Sequence, residues 1–344
     1  MRRDTMVKTA VKIHEEREYA SIGAQSVIPA QNRADGDSSS RINKDLTFPE
    51  NKTGWFSKIL TLIAVIVPPL GILSAAKILW GTDLHFLDIY LFLGFYAFTG
   101  FGITVGYHRL FTHKAFETNT VIRVILAILG AMTLQGPLTQ WVSDHRRHHM
   151  LSDKKGDPHS PNLDGDKIWD HITGLAHAHV GWMFRTKGLL RNSKYVEDIY
   201  DDKYLMLVDR LYLFWVLLSL FLPFLLGYLV SGNLEIATES FVWAGLIRIA
   251  LFQHATFAVN SICHKFGNRQ YRTRDNSKNQ WLVAALTFGE GWHNNHHAFP
   301  RSARHGLGKF QVDISWLVIS LLQKMKLVHG ICLPKESQMQ KLKV

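Results

Sequence analysis

Imidazole is the commonest side-chain metal ligand, and this chain places histidines at three spacings that would let several act together. "HRRHH" holds His145, His148 and His149, "HNNHH" holds His293, His296 and His297, and "HRLFTH" holds His108 and His113. On a helix, residues three and four apart share a face, so each HxxHH can present all three rings to one point. A lone histidine beside basic residues is ordinarily a surface or hydrogen-bonded group. His14, His85, His159, His171, His177, His179, His305 and His329 are read that way. Eighteen histidines in 344 residues make one HxxHH a fair coincidence; two of them with an HxxxxH are not. The clusters are read as metal-binding.

Ligand chemistry narrows the metal. Cys263 and Cys332 are too few and too far apart for a thiolate site or a disulfide framework. Imidazole suits zinc, copper, iron and nickel. One zinc ion takes four ligands, so eight clustered histidines imply two ions. Two adjacent redox metals could together store the equivalents needed to activate O2. This points to iron, although nitrogen ligands alone leave copper open.

The elements that would position these residues are apolar helices. The composition is 47% hydrophobic and 19% charged, and the apolar residues gather in runs near the roughly 20 residues that cross a bilayer. Four such runs cover 59–80, 87–108, 211–230 and 241–260. Arg248 and His254 interrupt the last one and are expected to face the protein interior or a water-filled site. "GTDLHF" and "SGNLEIATES" lack Lys and Arg, whereas "HRRHH", "SDKK", "RTKGLLRNSK" and "NRQYRTR" are basic. By the positive-inside rule the basic segments and both termini are cytoplasmic. The expected fold is therefore an all-α membrane protein: four transmembrane helices in two hairpins, with a cytoplasmic helical domain (109–208 and 261–310) around a histidine-rich dimetal site. Residues 1–54 read as a disordered or peripheral segment, 55–310 as the catalytic region and 311–344 as a C-terminal cytoplasmic segment. The run 121–138 is short for a span and is expected to lie in the interface, and 314–328 reads as an amphipathic helix. The net charge of +11 flanks the apolar runs instead of forming a basic domain, which argues against nucleic acid.

With "GYHRLFTH", "DHRRHH", "DPH", "HVGW", "NSICH" and "GEGWHNNHHAFP" in this order, the chain resembles the integral-membrane fatty acyl desaturases over roughly 59–310. It is most similar to the acyl-CoA Δ9, or stearoyl-CoA, branch. The resemblance implies two iron ions and adds His264 of "NSICH" to the eight clustered histidines, with Asn260 touching metal through water. It places the bend of an acyl tunnel at Gln135, Trp141 and Thr256. Arg185 and Lys187 become candidates for CoA phosphates, and Asp144 for a headgroup or supporting contact. The animal enzymes carry a basic residue where this chain has Ser143, and the stretch between "DPHS" and "HVGW" is longer here. Both departures fall on the carrier side and leave open CoA against a lipid-bound acyl chain. The implied reaction is O2-dependent formation of a cis double bond at or near Δ9 of a saturated acyl thioester such as stearoyl- or palmitoyl-CoA. No electron-carrier module follows the catalytic region, so a separate ferredoxin- or cytochrome b5-type donor is expected. The expected setting is a bacterial inner membrane in preference to endoplasmic reticulum. Two other readings stand beside this one: a membrane hydroxylase of fatty acids or alkanes, and, in a different class, a metal transporter. The transporter reading suffers because the clusters lie outside the apolar runs.

Overall fold

The computed structural model describes residues 55–79, 85–163, 165–185 and 195–344; the expectations for 1–54 and for Lys187 fall outside them. Helix α1 (Trp55–Leu79) carries Pro68 and Pro69 in its interior. Helix α2 (Phe86–Phe101) continues into wider π-helical turns over Gly102–Thr112. Helix α3 (Thr120–Ala131) starts where the Asn119 side chain accepts from the amide of Ile122, and α4 (Leu138–Leu151) starts after Pro137. Then come α5 (Ile168–Ala176), α6 (Lys203–Arg210) and α7 (Tyr212–Ser231). Gly232 ends α7 in the left-handed conformation, at φ +65°, where a side chain would be strained.

Among the described residues, three helical stretches are long and apolar enough to cross a membrane: Phe86–Thr112, Tyr212–Ser231 and Leu234–His264. They correspond to the second, third and fourth expected runs, with shifted ends. The second stretch runs on to Thr112, so His108 lies in its final turns and not at its edge. The fourth begins at Leu234, because most of "SGNLEIATES" is itself helical. There Asn233 caps α8 (Leu234–Ser240) through the amide of Glu235, and Thr238 returns its hydroxyl to the Leu234 carbonyl. π turns over Phe241–Ile247 lead into α9 (Arg248–Ser261). Side chains such as Tyr90, Phe98, Leu213, Phe221 and Leu229 point outward, and so do Leu62, Ile66 and Leu73 of α1. An apolar exterior of this kind suits lipid rather than water.

Helix α3 has 12 residues, too few to span. It packs across the π turns: a Cβ on Gly102 would stand 2.1 Å from the Gly130 amide nitrogen, and one on Gly130 would lie 2.3 Å from the Tyr107 ring. Only hydrogen at both positions permits this crossing. Beyond α3, the irregular backbone of 132–137 is tied to the fourth stretch. Arg248 donates to the Met132 carbonyl (3.2 Å), Gln253 to that of Leu134 (2.8 Å) and Gln135 to the Thr256 hydroxyl (3.2 Å). Arg248 is fully buried, and its remaining donors go to Ala244 and to the carbonyl and hydroxyl of Ser219. It does face the interior, as a cation inside an apolar run must.

After His264 the chain forms a compact cap with short helices α10 (Trp281–Leu286), α11 (His293–Ala298), α12 (Ile314–Lys324) and α13 (Glu336–Leu342). The final segment is knitted into the cap. Strand β1 (Glu117–Thr118) pairs antiparallel with β2 (Val328–His329). Cys332 donates to the Ala115 carbonyl (2.8 Å), Ala303 to that of Cys332 (2.9 Å) and Arg272 to that of Leu342 (2.7 Å).

Candidate metal centre

Each histidine is placed by a local device. In the π turns, the His113 amide reaches the His108 carbonyl five residues back (3.1 Å), and the Thr112 hydroxyl does the same with Tyr107 (2.8 Å). This wider winding carries His108 and His113 and is a frequent companion of functional sites. Helix α4 carries His145, His148 and His149 on one face. Arg146 locks that helix to the π turns through the Thr112 carbonyl (3.1 Å) and to Asp198 (2.7 Å). Helix α11 is one and a half turns long and needs outside support. The two asparagines of "HNNHH" supply it: the Asn294 carbonyl accepts from the amides of Gln270 and Tyr271, and Asn295 bonds Asn279, His305 and Gln311. His264 closes the fourth stretch.

These elements bring nine histidines into two groups. His108, His113, His145, His149 and His296 form one; His148, His264, His293 and His297 form the other. Within each group the facing ring nitrogens lie within 4.8 Å of one another. Several Nε2 atoms meet head to head: His108 and His296 at 3.0 Å, His149 and His296 at 2.8 Å, His264 and His293 at 3.0 Å, His148 and His297 at 3.4 Å. Carboxylates fix the other side of four rings. Nδ1 of His148 donates to Asp157 (2.9 Å), that of His264 to Asp153 (3.1 Å), that of His297 to Asp275 (2.7 Å), and that of His108 to Glu290. A proton held on Nδ1 leaves Nε2 as a bare lone pair. In the His148–His297 pair, both rings are fixed this way, so two lone pairs point at each other inside the protein. That contact is repulsive unless a cation sits between them, and carboxylate-backed imidazoles are the usual supports of such a cation.

Electrostatics agree. Burial, reinforced by neighbouring imidazoles, holds His113, His145, His149, His293 and His296 well below the usual histidine range, so these rings are neutral at pH 7, the form in which imidazole can bind a cation. Burial alone would raise the Glu290 and Asp275 carboxyls, but His108, His305 and Arg109 hold the first well below its usual range and His297 the second. Asp153 and Asp157 are lowered in the same way by His264 and His148 respectively. Four buried anions thus stand behind the rings. Arg109, fully buried, bonds Glu290 and Asp313 at 3.0 Å each. The donor set fits two cations, one per group.

Two histidines read as surface or hydrogen-bonded groups lie against the clustered rings. His159 and His305 are buried; the first packs at a tilt against His148 (centroids 4.3 Å apart, 33°) and the second against His296 (4.5 Å, 39°). In the sequence neither falls at the three- and four-residue spacing of the clusters, and the acids behind the rings have no periodic signature either. "DPH" and "GEGW" held Asp157 and Glu290 in plain view, without a spacing to give them a role.

The remaining site residues divide. Trp141 stacks on His145 (5.0 Å, 17°) and meets His108 edge-on (6.0 Å). Gln135 and Thr256 bond each other, and Thr256 also returns its hydroxyl to the Phe252 carbonyl (2.9 Å). Asn260 stands half-buried one turn before His264. Burial pushes the half-buried Asp144 carboxyl up to about 7, with Arg147 and Gln140 pulling the other way. Arg185 closes a four-residue helix, Trp182–Arg185.

A mostly helical chain with membrane-length apolar helices and two buried imidazole groups defines a membrane-associated protein built around a histidine cage. Comparison with known proteins gives the family: the fatty acid desaturase model matches residues 84–318, and the chain belongs to that family. A hex-5-enoyl-[acyl-carrier protein] acetylenase of Moorena producens (strain JHB) is 39% identical over 286 residues, 82% of this chain and 88% of that protein. An sn-1 stearoyl-lipid 9-desaturase of Anabaena variabilis is 38% identical, covering 70% and 81%. An acyl-CoA 5-desaturase of Anemone leveillei is 37% identical, covering 74% of each.

Proposed function

We propose that this chain uses O2 to introduce a cis double bond at or near carbon nine of a saturated long-chain acyl group. The acyl group is carried as a thioester, with CoA the carrier we favour. In this reading two iron ions occupy the two histidine groups, and a separate ferredoxin- or cytochrome b5-type protein delivers electrons. The observation that carries the proposal is the convergence of nine rings into groups of five and four, backed by carboxylates and flanked by Trp141. Bound iron supplies the oxidising power that no side-chain acid or base has, which abstraction of hydrogen from unactivated methylenes requires.

The chain's own residues do the rest. Asp153, Asp157, Asp275 and Glu290 keep the proton on Nδ1 and aim each Nε2 inward. Arg109 holds Glu290 and Asp313 together, so that His108 and the start of α12 move as one. Trp141, stacked on His145, and the bonded pair Gln135–Thr256 would position a methylene pair beside the rings. Such placement sets which carbons react. Asp144, Arg185 and Lys187 are assigned to the carrier headgroup. The same proposal includes four spans, α1 being the first, with the cage and both termini on the cytoplasmic face of a bacterial inner membrane. The basic segments between spans support this orientation.

The names of similar proteins include acyl-carrier-protein, CoA and lipid carriers, so the decisive assay compares carriers. Iron-loaded protein with O2 and reduced ferredoxin is expected to give a product two hydrogens lighter from stearoyl-CoA. A product one oxygen heavier would make the enzyme a hydroxylase; turnover with stearoyl-lipid alone would change the carrier. Trp141→Ala is expected to shift double-bond position or chain-length preference with iron content unchanged. An unchanged product distribution would remove Trp141 from the substrate path.

A further inference from the structure

The stretches Phe86–Thr112 and Leu234–His264 run in the same direction, so their final turns share the histidine cage and their first turns meet at the other end, roughly 30 Å away at 1.5 Å per residue. There a second set of ligating groups converges. His85, immediately before α2, places Nδ1 2.8 Å from Glu239 Oε2 and 3.8 Å from Asp88 Oδ2. The ligand atoms of all three lie within 4.8 Å of one another. Asp88 is fully buried and Glu239 is 3% exposed, whereas the His85 side chain is 43% exposed.

The two oxygens of Asp88 differ. Ser240 donates to Oδ1 (2.7 Å). Oδ2 is buried, has no hydrogen-bond partner and faces the His85 ring. A carboxylate oxygen left bare beside a second buried carboxylate is costly. A divalent cation between the three groups would give Oδ2 its missing partner.

We propose that His85, Asp88 and Glu239 form a divalent-cation site, separate from the histidine cage, that pins together the first turns of two spans. One imidazole and two carboxylates suit a transition cation of the zinc type. Ligand distances of about 2.0–2.2 Å require neighbouring donor atoms roughly 3.4 Å apart in a tetrahedral site, between the two separations found here. The exposed edge of His85 leaves room for water as fourth ligand and a path for the ion from outside the bilayer. The site is independent of the reaction proposed for the cage.

The test is metal content. Iron-loaded protein is dialysed against micromolar zinc and analysed for both metals, as wild type and as His85→Ala, Glu239→Gln and Asp88→Asn. The wild type is expected to gain one zinc per chain with iron retained. Each variant is expected to lose that zinc while keeping its iron, which also reports an intact fold. Zinc should raise the unfolding temperature of wild type and leave that of His85→Ala unmoved. Asp88→Asn, close to the native shape, decides the matter if another variant loses iron as well. Zinc gained at the expense of iron, equally in wild type and His85→Ala, would place it in the cage and overturn the proposal. So would no zinc in the wild type.

Discussion

At the scale of the residue, the cage is an arrangement of protons as much as of nitrogens. Four carboxylates decide which ring atom faces inward, so removing one should act on metal before it acts on fold. Asp275→Asn keeps the shape but weakens the acceptor for His297 Nδ1; iron affinity is expected to fall by about 10–100-fold, read by metal analysis against a chelator. His149→Ala and His297→Ala, one from each group, are expected to abolish turnover and lower bound iron; full activity with full iron in either would sink the ligand assignment. Asp144 makes a pH prediction. Its carboxyl is raised to about 7 from an unfolded value near 3.9, so the folded chain binds the proton more tightly. Stability from this group therefore falls as pH rises from about 4 and levels off above about 7. Thermal unfolding from pH 5 to 8 should show that decline in wild type and a shallower one in Asp144→Asn. The histidine clusters were legible in the sequence because ligands on one short helix must repeat at three and four residues. Asp153, Asp275, His159 and His305 were not, because contacts between distant segments carry no spacing.

At the scale of the element, three of the four apolar runs marked where membrane-length helices lie among the described residues, but not where they end. The fourth begins at Leu234, ahead of the apolar run, since Asn233, Thr238 and Ser240 satisfy polar groups there, and hydropathy does not register hydrogen bonds. The 12-residue α3 was readable as non-spanning from its length, but its intimate contact with the π turns was not. That contact rests on Gly102 and Gly130. Gly102→Ala would push a methyl into backbone 2.1 Å away and is expected to cost about 1–3 kcal/mol. The measurement is a lowered unfolding midpoint, accompanied by iron loss, because the displaced turns carry His108 and His113.

At the scale of the whole molecule, the last residues close the cap over the first histidine pair. Ala115 lies two residues after His113 and accepts from Cys332, while β2 pairs with the strand that follows. A chain stopped after Leu327 loses both. It is expected to unfold at lower temperature and to retain less iron than the full chain; equal iron content would show that the cage closes without its final segment.

Arg248 has a consequence for how the protein is made. A lone arginine at the middle of a helix costs roughly 2.5–3.5 kcal/mol on insertion into a bilayer. Three of its hydrogen bonds here reach Ser219 and Met132, residues synthesised earlier. The third stretch therefore arrives at the translocon carrying acceptors for the guanidinium of the fourth. The two should partition into lipid as one hairpin, with Ser219 acting as a chaperone in cis for the charge that follows it.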